Sequence, residues 1–191
     1  DLRKSGIAPQ AVLSLMARLG SADPVELRAS VDEVVANFDL SKFGSAPTKF
    51  DAADLIPLTA RYLASLDHTA VADTIRAAGV PDELAELFWR VVRENIEKLD
   101  DVAGWWALFR DGATPLVDEE DRTFVEQAFF LLDNPPYTAD TWANWTTLVK
   151  DETGRKGKAL FMPLRKAVTG MERGPEMADV MPLLQTKPKL T

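Results

Sequence analysis

Four consecutive carboxylates, Asp118, Glu119, Glu120 and Asp121, form the densest set of potential metal-ligating groups in the chain. Neighbouring residues on a helix point about 100° apart, so four in a row cannot converge on one magnesium ion. At a helix start they instead complement the positive end of the macrodipole, and no metal site is expected there. The single histidine, His68, stands beside Asp67 at a predicted helix start and fits a cap better than a catalytic base. With no cysteine in the chain, disulfides and thiolate metal sites are excluded, and one imidazole makes a zinc site or a Ser–His triad a poor reading. No catalytic residue is assigned.

Cationic side chains offer more. Gly154-Arg155-Lys156-Gly157-Lys158 shares glycines and lysines with phosphate-binding loops, but the glycine spacing fails and neither Ser nor Thr follows the last lysine. Arg155, Lys156 and Lys158 read either as contacts to an RNA backbone or as an ordinary exposed helix start. Trp105, Trp106, Trp142 and Trp145 could stack bases. Core packing is the favoured expectation, because Trp105 belongs to a periodic set with Val102 and Phe109, and Trp142 and Trp145 lie three residues apart.

The most informative stretch runs from Gly157 to Met177. Leu160, Leu164 and Val168 share one helical face, which leaves Arg165 beside a packed seam with its guanidinium free to project. An arginine there can make planar, two-pronged contacts that lysine cannot. After Gly170 the chain turns and is expected to resume a helix at Pro175. Backbone groups of a turn and a helix start beside Arg165 make a surface suited to splayed single-stranded bases.

Those residues need helices to carry them. Apolar residues recur at three- and four-residue spacing, as in Val12, Leu15, Met16 and Leu19 or Leu84, Leu87, Phe88, Val91 and Val92, without sustained alternation. The fold class is therefore all-α, with helices predicted near 9–19, 31–38, 52–64, 69–78, 82–98, 100–110, 118–132, 138–152, 158–169 and 175–184. Ser30 and Glu33 have capping-box spacing, Asp51 can cap the next helix, and Gly20, Gly79, Gly112 and Gly170 follow periodic segments as stops. The first residues look like the end of a helix begun in a larger protein. The irregular segment Ser41 to Lys49 and the break Asp133-Asn134-Pro135-Pro136 suggest units over 1–66, 67–136 and 137–191.

With 191 residues and 46% hydrophobic content, the chain can bury a proper core. It has neither a signal-peptide apolar region nor a membrane-length apolar run, so a cytoplasmic location is the default. Its net charge of −8 argues against nucleic acid until the charges are located. Residues 153–191 carry eight basic against three acidic side chains, a net +5, leaving −13 on residues 1–152. A basic terminal segment on an acidic body is a usable polarity for binding RNA at one end, or simply a solvated tail.

Three blocks of this sequence resemble the C-terminal region of bacterial glutamyl-tRNA synthetases. Residues 2–20, LRKSGIAPQAVLSLMARLG, are similar to the family's LRxxGxxPxALxNYLAxLG; FDLSKFG from Phe38 and APTKFD ending at Asp51 are similar to its FDLSRxGxxPxxFD; and Gly157 to Met177 is similar to its GK…PLRxALTG…GPE segment. The chain departs from the family at Lys98 for arginine, Met162 for glutamine, Ser21 for tryptophan, and Pro57, which would interrupt a continuous helix.

The resemblance implies an anticodon-binding cage, with residues 1–66 bracing the inner side of a tRNA. It implies that Arg165, Gly174, Pro175 and Met177 contact the anticodon and that Lys98 stands at a second anticodon contact. It further implies a parent that attaches glutamate to tRNA with ATP and magnesium, using a Rossmann-type catalytic domain of the same protein that this chain lacks. Its partner would be glutamate tRNA and, in a relaxed enzyme, glutamine tRNA. The chain alone would hold no cofactor and perform no catalysis. The competing expectation is a helical protein-interaction module that keeps the family shape without binding RNA.

Overall fold

The computed structural model describes residues 2–45 and 47–190. Among them it contains ten α-helices: α1 (Pro9–Met16), α2 (Val31–Ala36), α3 (Leu55–Ser65), α4 (Ala72–Ala77), α5 (Ala85–Val92), α6 (Asp101–Asp111), α7 (Arg122–Phe130), α8 (Thr141–Thr153), α9 (Lys158–Thr169) and α10 (Met177–Val180). No strand occurs among the described residues; the one β-type pairing is a single antiparallel bridge between Ser21 and Phe43. The all-α expectation holds.

Two contact units result. One contains the chain up to Thr74 together with Arg93–Val102; the other contains Ile75–Val92 and the chain from Ala103 onward. In the first unit, α1 packs on α3 through Ala8, Ala11, Leu15, Leu55 and Leu58, with Leu2, Ile7, Val12, Leu27 and Tyr62 around them. Two of its buried hydroxyls are satisfied: Thr59 Oγ1 accepts from the Ala8 N–H at 3.2 Å, and Ser14 Oγ accepts from the Arg28 N–H at 2.8 Å while donating to the Gln10 carbonyl. Ser30 Oγ accepts from the Glu33 N–H at 3.2 Å, and the Glu33 carboxylate reaches back to the Ala29 N–H at 3.0 Å, so the predicted box forms with its return bond shifted by one residue.

In the second unit, α9 lies against α7 and α8, and α10 packs on α5 and α8. Phe88 meets Trp106 and Phe109 edge-on. Trp145 stacks on Phe129 and donates its indole N–H to the Ala128 carbonyl at 2.8 Å. Trp106 and Trp145 are buried, as core packing requires, whereas Trp105 and Trp142 are partly exposed.

Several predicted helices are shorter than their apolar patterns. The segment expected over 82–98 ends as an α-helix at Val92, because the Asp101 carboxylate accepts from the Glu97 and Lys98 N–H groups and bends the chain into α6. The segment 175–184 divides into α10 and a 3-10 turn at Met181–Leu183, since Pro182 has no N–H to continue the ladder. Pro57 does not interrupt a helix: α3 starts at Leu55, so the proline falls in the first turn, where its N–H would have no helical partner anyway.

Gly170 closes α9 with φ +70°, and a Cβ there would stand 2.7 Å from the Thr114 carbonyl oxygen. Both the backbone conformation and the approach of residue 114 therefore require glycine. Gly170→Ala should cost about 1–3 kcal/mol, seen as a lower thermal midpoint with helical content retained at low temperature. A second expectation is pH-dependent. Tyr137 is buried and donates its hydroxyl to the Asp133 carbonyl at 2.8 Å; burial, then the nearby Asp133 charge, pushes the phenol from 10.0 up to about 12. The fold favours the neutral phenol, so this stability is intact below pH 10 and is lost as the pH rises toward 12. In a Tyr62→Phe background, ultraviolet titration should show Tyr137 ionising near the higher value.

Candidate nucleic-acid interface

Helix α9 is the platform of the site, and a proline in its interior shapes one end. Pro163 cannot donate to the Ala159 carbonyl four residues earlier. Arg155 supplies the replacement, its Nη1 donating to the Ala159 oxygen at 3.3 Å. The same guanidinium pairs with Asp121 and lies 4.0 Å from the centre of the Phe124 ring. Arg155 is thus engaged three ways in closing α7 onto the start of α9. Lys156 and Lys158, by contrast, are exposed and make no ion pair among the described residues.

The carboxylate run caps no helix through its side chains. Asp118 pairs with Lys166 at 2.6 Å and Asp121 with Arg155, so the two carboxylates nearest α9 already serve cations of the chain. The macrodipole account of the cluster is therefore incomplete. No group of three or more His, Cys, Asp or Glu residues among those described is arranged for a metal. An open groove of about 410 Å³ between the start of α7 and α9 is lined by Asp118, Asp121, Arg155, Lys158, Met162 and Lys166. His68 behaves as expected of a capping segment, with Asp67 accepting from the Thr69 N–H and lying 3.0 Å from His68 Nδ1.

At the other end of α9, Arg165 is half-buried, and its Nη1 is buried without any hydrogen-bond partner among the described residues. That nitrogen lies 3.8 Å from the position a Cβ would take on Gly174, whose φ of +154° is one that side chains rarely adopt. Arg165 forms no ion pair with Glu172 or Glu176 among the described residues. Pro175 and Met177 are buried behind the turn, Met177 at the start of α10, so their side chains support the surface and their backbones shape it. The structure thus brings Arg165, Gly174, Pro175 and Met177 together. Lys98 belongs to the first unit, where its stem covers Gly6, its N–H donates to Asp101 and its side chain is exposed.

Sequence reasoning missed two contributors. Phe161, 45% exposed, falls on one stripe of α9 with Lys158 and Arg165 and packs its ring against Trp142. The Lys158, Phe161, Arg165 spacing of i, i+3 and i+7 was available as a signal for an aromatic residue set between cations. Lys166 is the other, buried to 8% side-chain exposure by its pairing. Nothing in its local sequence marks it, because its partner Asp118 lies 48 positions away.

One stripe of α9 therefore carries an arginine without an ion pair among the described residues, Arg165, a lysine in the same state, Lys158, and a half-exposed aromatic, Phe161. The chain belongs to the anticodon-binding domain family, whose model matches residues 54–187. It is 62% identical to Glutamate–tRNA ligase 1 of Ruegeria pomeroyi over 97% of this chain and 42% of that protein, and 64% identical to Glutamate–tRNA ligase 2 of Dinoroseobacter shibae over 100% of this chain and 43% of that protein. The chain therefore spans less than half the length of these relatives. A glutamate–tRNA synthetase from Elizabethkingia anophelis shares the fold with a TM-score of 0.70 at 23% identity, across 96% of this chain and 39% of that one. The resemblance read from the three sequence blocks is confirmed. No helix among the described residues is long and apolar enough to cross a membrane.

The role of Arg155 can be measured. Asp121→Asn should cost about 1 kcal/mol or less, the range of a partly exposed ion pair. Arg155→Met should cost more, about 1–3 kcal/mol, because it also strands the Ala159 carbonyl and uncovers Phe124. Urea denaturation of both variants checks the order; equal costs would show that the ion pair alone holds α9.

Proposed function

We propose that this chain is the tRNA-binding portion of a glutamate–tRNA ligase and reads the anticodon end of its tRNA. ATP and magnesium would act in a catalytic domain elsewhere in the same cytoplasmic protein. The observation that carries this reading is the Arg165 guanidinium, held beside Gly174 with a buried nitrogen that has no partner among the described residues. A buried donor without an acceptor costs free energy, and a base edge or phosphate would relieve that cost.

In this reading Arg165 is the principal anticodon contact, with the backbone at Gly174 and Pro175 and the start of α10 at Met177 shaping the base pocket. Phe161 offers a stacking surface. Lys156 and Lys158 approach phosphates, with Arg155 contributing whatever its structural partners leave free. Lys98 is the second anticodon-side contact, and as a point charge it discriminates less than an arginine fork. Residues 1–66 face the inner side of the tRNA, and residues 67–136 and 137–191 form the anticodon cage. Glutamate tRNA is the substrate, with glutamine tRNA admitted if the last anticodon base is read loosely.

The test uses the whole protein that carries this chain. Arg165→Gln should raise the dissociation constant for glutamate tRNA by roughly 5- to 150-fold, the worth of one good two-pronged base contact. It should also flatten preference among anticodon variants while leaving kcat at saturating tRNA and the thermal midpoint nearly unchanged. Affinity should fall steeply with added salt, as phosphate contacts require. Lost stability with intact anticodon preference would make Arg165 a structural residue and favour the protein-interaction reading.

A further inference from the structure

Arg165 and Lys166 are adjacent cations on α9 with opposite fates: one is left unpaired and the other is held by two carboxylates. We propose that Lys166 is a positioning residue for RNA binding, whose ammonium is anchored by Asp118 and holds Glu172, so that Arg165 stays unpartnered and available. The inference rests on the RNA-binding reading above and concerns how the chain keeps its own carboxylates away from the reading arginine.

Three tethers fix Lys166. Its Nζ donates to Asp118 Oδ2 at 2.6 Å, its carbonyl accepts from the Leu116 N–H at 3.1 Å, and the same carbonyl accepts from the Gly170 N–H at 2.9 Å. The strap from Thr114 to Asp118 therefore lies along α9 and aligns its last turn. The Asp118 hydrogen bond outweighs desolvation, and the charges of Asp118, Glu172 and Asp121 add to it, which raises the Lys166 pKa and keeps the side chain cationic.

The polar turn after Gly170 carries both the threat and the ligand surface. It lays Gly174 against Arg165 Nη1, and two residues earlier it carries Glu172, whose Oε1 lies 3.9 Å from Lys166 Nζ. An arginine fork that is already satisfied by an internal carboxylate must break that pair before it can meet a base. With Lys166 neutral, Glu172 loses its cation on α9, and Arg165, one residue back and already against the same turn, becomes its partner. Charge removed at a site that never touches RNA then appears as weakened RNA binding.

The experiment measures equilibrium binding of a glutamate tRNA transcript to the whole protein carrying this chain. Lys166→Met should weaken binding about two- to fivefold, the effect of an exposed ion pair competing for Arg165. Lys166→Met with Glu172→Gln should regain the starting affinity, and Lys166→Arg should retain it. Glu172→Gln alone, which removes the competing carboxylate and leaves Lys166 in place, should bind at least as tightly as the starting protein; Lys166→Gln, which removes the charge and should weaken binding as Lys166→Met does, covers the case in which Lys166→Met melts early. The proposal is overturned if Lys166→Met, or Lys166→Gln where the former melts early, binds normally, or if the double variant stays as weak as the single. In an Arg165→Gln background, Lys166→Met should have no further effect, because the two act through one group. If Arg165→Gln itself does not weaken binding, the RNA-binding reading fails, and that result is separate from any behaviour of Lys166.

Discussion

The start of α9 depends on a hydrogen bond that the helix cannot make for itself. Pro163 leaves the Ala159 carbonyl open, and the Arg155 guanidinium, arriving from the loop before the helix, takes it while resting on Phe124 and pairing with Asp121. A proline inside a helix ordinarily weakens or bends it. Here its ring is buried in the second unit's core, and the loss of one internal bond is offset by a cation that also ties α7 to α9. Because Lys158, Phe161 and Arg165 all project from α9, the placement of the candidate interface follows from how that helix is held.

Two of the eight basic side chains in the last 39 residues are consumed in this way, Arg155 by Asp121 and Lys166 by Asp118. Both acceptors come from the carboxylate run before α7. That run therefore offsets part of the positive charge of the basic segment. Yet it also ties down α9, from which Lys158 and Arg165 project. Lys156, Lys158, Arg165, Arg173, Lys187 and Lys189 form no ion pair among the described residues. A net charge of −8 says little about RNA when paired cations act as scaffold and unpaired ones as surface.

Most helices could be read from apolar periodicity because they bury one stripe; α2 buries no residue and is marked by its Ser30–Glu33 cap, and the bounds of α9 follow from Gly157 and Gly170, which bracket it. Boundaries failed where a distant or local polar group overrode the pattern. Asp101 turning back on Glu97 and Lys98 is one case, and Pro182 splitting the last helix is another. The neighbourhood of Arg165 and Gly174 was anticipated, since a turn after a glycine stop returns the chain to the helix it has left. Lys166 with Asp118 and Phe161 with Trp142 were not, because each joins segments whose pairing is decided by packing between helices.

Specificity in such a site is a matter of what the reading group is prevented from doing. An exposed arginine beside a flexible acidic turn would spend much of its time paired internally, and each such pair lowers the fraction of molecules ready to bind. Burying one nitrogen of the guanidinium beside a glycine with no side chain, and giving Glu172 another cation, would close both escape routes, at the cost of one buried donor left without a partner among the described residues. Glycine at position 174 and, in the role proposed above, lysine at position 166 then act on the same arginine. One makes room for its nitrogen without offering an acceptor, and the other occupies the acceptor that the turn brings near.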